Sequence, residues 1–266
     1  MAENAPAHSP APLHSPAPTS DQAPDFLLAE DDALFLDLDG TLLDLAPTPD
    51  AVSVAPGLVA VLGALRDRLG GRLAIVSGRP LAQIDAVLAP LRLAAAGVHG
   101  LQRRGADGVL WQATAPDLAP LRARAFDLCA FHPLLWVEEK YGALALHYRQ
   151  APDLGPLCLA ALEEAARACD GLQVLAGKMI VEVKLAGVDK GTAIRDFLTE
   201  APFAGHRPVF AGDDTTDEAG FAWVQGAGGV AIKVGEGASA ARHRIASAPA
   251  LRAALEHYVQ HFDNGT

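Results

Sequence analysis

Between Asp32 and Gly100, short apolar runs alternate with stretches whose apolar positions recur at helical spacing, the pattern of a parallel sheet with crossover helices. Ala33 to Asp37 predicts a first strand. Leu58, Val61, Leu62, Leu65 and Leu69 keep a helical stripe, with Pro56 where a first-turn proline is tolerated. Leu73 to Val76 predicts the next strand, Pro80 opens a helix carrying Leu81, Ile84, Val87 and Leu88, and Ala94 to Val98 predicts a third strand. The period then changes. Leu134 to Glu139 and Ala143 to Tyr148 predict a hairpin turning near Tyr141-Gly142, Leu157 to Cys169 a helix, and Val174 to Lys184 one strongly alternating strand. Together with an earlier hairpin through Val109 to Gln112, they read as a small α+β unit inserted into the first domain. That domain resumes with a helix opened by Lys190, strands at Val209 and at Val230 to Val234, and a terminal helix through Leu251, Leu255 and Val259. The predicted class is α/β, with a core of residues 25–100 and 187–266, an α+β cap of residues 101–186, and a tail of residues 1–24.

The tail repeats Ala, Pro, Ser and His, cannot build a core and predicts disorder; it lacks the basic start and apolar stretch of a signal peptide. The whole chain of 266 residues is 50% hydrophobic and 20% charged, enough for roughly two domains. No run approaches the ~18 apolar residues of a membrane span, so no membrane partner is expected. A formal charge of −11 argues against nucleic acid, whose binding depends on neutralising phosphates with Lys and Arg. Cys129, Cys158 and Cys169 are an odd number without Cys-x-x-Cys spacing, which fits reduced thiols in a cytoplasmic protein, expected as a monomer.

The chemistry concentrates where strands end. Asp37-Leu38-Asp39-Gly40-Thr41 follows the first strand, and side chains two apart on an extended backbone project to the same side. Ser77-Gly78-Arg79 follows the second strand, Lys190-Gly191 opens a helix, and Gly212-Asp213-Asp214-Thr215-Thr216-Asp217-Glu218 follows the strand at Val209. So many acids at one strand exit repel unless a cation sits among them, and a divalent ion is the natural resident. In open parallel sheets, sites form beyond the carboxyl ends of strands, where all these segments lie.

These four segments, in this order and context, resemble the haloacid dehalogenase superfamily of phosphotransferases. Within it the chain is similar to the trehalose-6-phosphate phosphatases, from about Phe35 to about Tyr258. The resemblance implies a Rossmann-like parallel-sheet core and a covalent relay in which Asp37 attacks phosphorus. It implies that Asp39 protonates the leaving sugar oxygen and then deprotonates water. Mg²⁺ would be held by the Asp37 carboxylate, the Asp39 backbone carbonyl and Asp213. Lys190 would balance charge while Thr41, Ser77 and Gly78 donate to the phosphoryl oxygens. Asp217 steadies Lys190 or a metal-bound water, and Asp214 does either; Ser77 also reads as a plain helix cap before Pro80.

The cap resemblance rests on Val137-Glu138-Glu139-Lys140-Tyr141-Gly142, Ala145-Leu146-His147-Tyr148-Arg149 and Gly177-Lys178-Met179-Ile180-Val181-Glu182-Val183-Lys184. It implies that Glu138, Lys140, Lys178 and Glu182 bind glucose hydroxyls. By spacing, Glu138 and Lys140, and likewise Glu182, Lys184 and Lys178, share strand faces, which equally suits salt bridges on a solvated sheet. His147 and Arg149 bind sugar or finish the hairpin, and His99 is a substrate contact or a packed core histidine. The expected reaction is hydrolysis of trehalose 6-phosphate. The alternatives are another capped sugar phosphatase or phosphosugar mutase, and a non-catalytic sugar-phosphate sensor.

Overall fold

A computed structural model describes residues 28–45, 52–177 and 179–262; the predicted tail of residues 1–24 lies outside them. The core begins with β1 (Asp32–Leu36), α1 (Leu58–Arg68), β2 (Leu73–Val76), α2 (Leu81–Leu88) and β3 (Ala94–Gly97). Two short strands follow, β4 (Gln102–Arg104) and β5 (Leu110–Gln112). The chain then forms α3 (Ala119–Phe131), β6 (Trp136–Lys140), β7 (Ala143–His147), α4 (Gly155–Ala166), β8 (Leu172–Gly177) and β9 (Ile180–Leu185). It closes with α5 (Lys190–Phe197), β10 (Arg207–Gly212), α6 (Glu218–Gly226), β11 (Val230–Val234), β12 (His243–Ile245) and α7 (Ala248–Phe262).

The large sheet has the order β12-β11-β10-β1-β2-β3-β4-β5 and is parallel from β12 to β3. Its central strands are apolar on both faces because helices cover both. Leu34, Leu36, Ile75 and Val209 pack with Leu62, Leu65, Ile84, Leu88, Leu251 and Leu255 of α1, α2 and α7. On the other face Phe35, Val76 and Phe210 meet Ile194, Phe197, Phe221 and Val224 of α5 and α6. The Phe35, Phe197 and Phe203 rings sit with centroids 5.1 to 5.9 Å apart. From β1 the chain runs to β2 and β3 on one side and returns through β10 on the other, so the order reverses between β1 and β10. Ligand crevices form at such a switch.

The second sheet, β6-β7-β9-β8, is antiparallel. Leu144, Leu146, Val181 and Val183 on one of its faces pack with Leu121, Ala125, Leu128, Cys158 and Leu162 of α3 and α4. Its other face is turned to the core.

Three expectations are corrected. The hairpin through Val109 to Gln112 belongs to the large sheet, where β4 pairs antiparallel with β3 and β5 with β4. Val174 to Lys184 is not one strand but the hairpin β8–β9, broken near Met179, whose φ is 67°. Helix α1 starts after Pro56 rather than at it, because Gly57 takes a φ of 83° and turns the chain into the helix. Among the described residues, no helix is long and apolar enough to cross a membrane.

Candidate active site

β1 and β10 are adjacent and parallel, with Leu36 level with Ala211, so the residues that leave their carboxyl ends emerge side by side. Asp37 N still donates to Ala211 O at 3.0 Å, which fixes the turn-off point. Asp213 follows the last residue of β10, and its carboxylate occupies the space a side chain on Gly40 would take: a Cβ there would stand 2.1 Å from Asp213 Oδ2. Thr41 Oγ1 spans the two acids, 3.3 Å from Asp37 Oδ2 and 3.4 Å from Asp213 Oδ1.

Lys190 enters at the first turn of α5, whose start is fixed by a capping box: Asp189 Oδ1 accepts from Thr192 N, and Thr192 Oγ1 accepts from Asp189 N. Its Nζ donates to Asp37 Oδ1 and to Asp217 Oδ1, each at 2.7 Å. Asp217 Oδ2 accepts from the backbone N–H groups of Asp213 (3.0 Å) and Asp214 (2.9 Å). Asp217, wholly buried, thus spends both oxygens on holding the loop and Lys190. Asp214 caps the next turn through Thr215 N, and the buried Lys233 donates to Asp213 O.

Asp37, Asp213 and Asp217 offer carboxylate oxygens that all lie within 4.8 Å of one another. The three carboxylates outnumber the two ammonium groups beside them, Lys190 and Lys233, in a largely buried space. Burial raises the Asp37 carboxyl well above its usual range, with Lys190 opposing and Asp217 and Asp213 adding to the rise. Burial, reinforced by Asp217, pushes Asp213 up to about 6. Burial alone would lower Lys190, yet Asp217 and Asp37 outweigh it and hold the ammonium charged. This donor set is oxygen-only, with Asp37 Oδ2 and the Asp213 carboxylate facing each other, and it fits a hard divalent cation that neutralises the excess.

Asp39 points elsewhere. Arg79 grips it as a fork, Nε to Oδ2 at 2.6 Å and Nη2 to Oδ1 at 2.7 Å. Ser77 Oγ accepts from Arg79 N at 3.2 Å, while Pro80 is the N-cap of α2 with no side-chain bond, so the helix-cap reading of Ser77 does not hold. Gly78 is required by His99, whose ring would lie 2.9 Å from a Cβ on it. His99 has a φ of 56°, is buried, and its Nε2 is 2.9 Å from Glu182 Oε2. Burial keeps its imidazole below the ordinary range, against the pull of Glu182.

On the cap, Ala145 lies opposite Glu138 on one side and Glu182 on the other. Its short side chain leaves a trough over which the long neighbours converge. Lys140 Nζ is 3.2 Å from Glu182 Oε1 and 3.7 Å from Glu138 Oε2, and His147 Nε2 is 3.0 Å from Glu138 Oε2. Burial would raise Glu182, but His99 and Lys140 hold its carboxyl far below the usual range. His147 stacks on Trp136 with centroids 3.7 Å apart and planes within 4°.

The two ends meet in one cleft of about 400 Å³, lined by Asp37, Asp39, Ser77, Gly78, Lys190, Asp213 and Asp214 of the core. His99, Glu138, Lys140, His147, Arg149 and Glu182 also line it. Lys178 lies outside the described residues. Lys184 shares β9 with Glu182 but donates to Val188 O. Sequence reasoning singled out Ser-Gly-Arg without giving Arg79 a role, and it passed over Trp136 and Lys233. For Arg79 the signal was present: a lone arginine after a strand end that faces a carboxylate pair.

An acidic cluster at the β1/β10 switch, with a lysine beside it and an inserted α+β unit over it, is suited to phosphoryl transfer. The comparisons agree. The trehalose-phosphatase family model matches residues 35–252, and the chain belongs to that family of phosphoric monoester hydrolases. It is 46% identical over 225 residues to a probable trehalose-phosphate phosphatase of Sinorhizobium fredii, covering 83% of this chain and 84% of that protein. It is 39% identical over 226 residues to the trehalose-6-phosphate phosphatase of Escherichia coli, covering 84% and 85%. Among solved structures, a trehalose-6-phosphate phosphatase related protein matches with a TM-score of 0.72 at 29% identity, over 88% of this chain and 99% of that one. The C-terminal domain of the Candida albicans trehalose-6-phosphate phosphatase shares the fold, with a TM-score of 0.75 at 22% identity over 86% and 92%.

Proposed function

We propose that the protein hydrolyses trehalose 6-phosphate to trehalose and inorganic phosphate, with Asp37 as nucleophile and Mg²⁺ as the metal. The observation that carries this is the single cleft in which the acid–base floor of the cap faces the Asp37–Lys190–Asp213 cluster. Asp37 attacks phosphorus as the P–O bond to the sugar breaks, and Asp39 delivers its proton to the departing O6. Asp39 then takes a proton from water as that water displaces the Asp37 carboxylate from phosphorus. In this structure both Asp39 oxygens accept from Arg79, so Asp39 takes up its proton and turns to O6 on leaving that fork. Lys190, charged and buried, offsets negative charge at Asp37, while Thr41, Ser77 and Gly78 supply donors around the phosphoryl group. Asp37, the Asp39 carbonyl and Asp213 would hold Mg²⁺, which supplies charge neutralisation for transfer to an anionic carboxylate. Asp217 and Asp214 keep the loop and Lys190 in place.

Glu138, Lys140 and Glu182, with His99 and His147 behind them, Arg149 in the same cleft and Lys178 as a further sugar contact, select sugar by pairing with its hydroxyls. A ligand without those hydroxyls leaves buried charges unanswered. Phosphate release from trehalose, sucrose, mannose and glucose 6-phosphates, with Mg²⁺ and after chelation, tests the reading. Metal-dependent turnover should be fastest on trehalose 6-phosphate. A preference for another sugar would refute the substrate, isomerised sugar phosphate in place of free phosphate would indicate a mutase, and binding without turnover would indicate a sensor.

A further inference from the structure

The cleft face of the cap is organised in rows across its strands. Lys140, Ala143 and Lys184 form the row beside the core, and Glu138, Ala145 and Glu182 the next. Trp136, His147 and Ile180 form the third, with Gly177 opposite Ile180 on β8. The first two rows are charged and reach the core through His99, which contacts Glu182. The third is apolar and aromatic, and it lies two strand residues, about 7 Å, further from the core. Trp136 is 38% exposed, lines the cleft with Leu175 and Ile180, and is held by the parallel stack on His147. That stack in turn aims His147 Nε2 at Glu138.

A large aromatic ring left half-open in a cleft loses favourable burial unless a ligand covers it. What covers it must be apolar on one side and must begin about one sugar ring beyond the groups that read the phosphorylated glucose. We propose that Trp136, stacked on His147 with Ile180 on the far side of that ring, is the contact surface for the outer, unphosphorylated glucose, and that it sets the preference for a disaccharide phosphate over a monosaccharide phosphate. This deepens the proposed function and rests on it. The C–H faces of the outer ring cover the aromatic wall while its hydroxyls stay with solvent and with Arg149 and Gln150, which line the same cleft and follow His147 in the chain.

The test compares kcat/KM for trehalose 6-phosphate and for p-nitrophenyl phosphate in wild type, Trp136→Ala and Trp136→Phe. Trp136→Ala should lose about tenfold on trehalose 6-phosphate, chiefly through KM, while the small ester changes by less than about twofold. Trp136→Phe, which keeps an aromatic face on His147, should recover most of the loss. An unchanged trehalose 6-phosphate value in Trp136→Ala, or equal losses on both esters in both variants, would overturn the assignment while leaving the proposed function standing. A wild type that cleaves p-nitrophenyl phosphate but not trehalose 6-phosphate would remove both.

Discussion

Gly40 and Asp213 occupy one space: the missing side chain of Gly40 is where the Asp213 carboxylate sits, 2.1 Å from the position a Cβ would take. Gly40 also has a φ of 80°, which an L side chain adopts at a cost. One residue therefore satisfies two demands, turning the chain off β1 and admitting the acid from β10 beside Asp37.

Gly40→Ala should accordingly push Asp213 away as well as strain the backbone. We expect kcat/KM to fall by about 100-fold or more, with a stability loss of only about 1–2 kcal/mol. Steady-state kinetics set beside thermal unfolding check this; a variant that keeps its activity would show that the close approach is not needed.

Asp213 has its carboxyl pushed up to about 6 by burial and Asp217. A carboxyl raised in the folded state contributes stability at low pH, which is lost as pH rises through that value. In chelator, Asp213→Asn should therefore melt higher than wild type above about pH 6, and the gap should close as pH falls toward about 4. Mg²⁺ should reverse the order at neutral pH by raising the melting temperature of wild type alone. Scanning fluorimetry across pH with and without Mg²⁺ reads both effects; a variant less stable than wild type in chelator at about pH 8 would contradict the repulsion at the cluster.

Much of the core site was legible because each chemical segment follows an apolar run or opens a helix. Strand ends on a parallel sheet place residues together whatever the intervening chain does. The cap was harder to read. Only two residues separate the apolar β8 and β9, so Val174 to Lys184 looked continuous although the helix-facing positions switch from Leu172 and Val174 to Val181 and Val183, and the positive φ falls on Met179 rather than on a glycine. Helix α3 carries only the sparse stripe Leu121, Ala125 and Leu128 among arginines, and β4 and β5 are three residues each. Long-range pairings such as Arg79 with Asp39, or Trp136 with His147, depend on folding that local periodicity does not encode.

Glu182 holds Lys140 and His99 together, so removing its charge should be felt by the sugar and not by the phosphate. Glu182→Gln, which keeps the size, should lower kcat/KM for trehalose 6-phosphate by about 100-fold and for p-nitrophenyl phosphate by less than about threefold. Parallel kinetics on the two esters decide; equal losses would mean the cap does not read the sugar.

Arg79 binds Asp39 through two nitrogens that a lysine cannot reproduce. Arg79→Lys should lower kcat by about tenfold on both esters, less than the ~10²–10⁴ contributed by a general acid itself. A change confined to KM for trehalose 6-phosphate would instead place Arg79 with the sugar contacts.

The most direct measurement quenches the reaction in acid within the first turnover of trehalose 6-phosphate and maps retained phosphate by peptide mass spectrometry. The predicted result is phosphate on the peptide that carries Asp37 in wild type, with neither label nor turnover in Asp37→Asn. Phosphate release by Asp37→Asn at the wild-type rate, or label found on another residue, would contradict it.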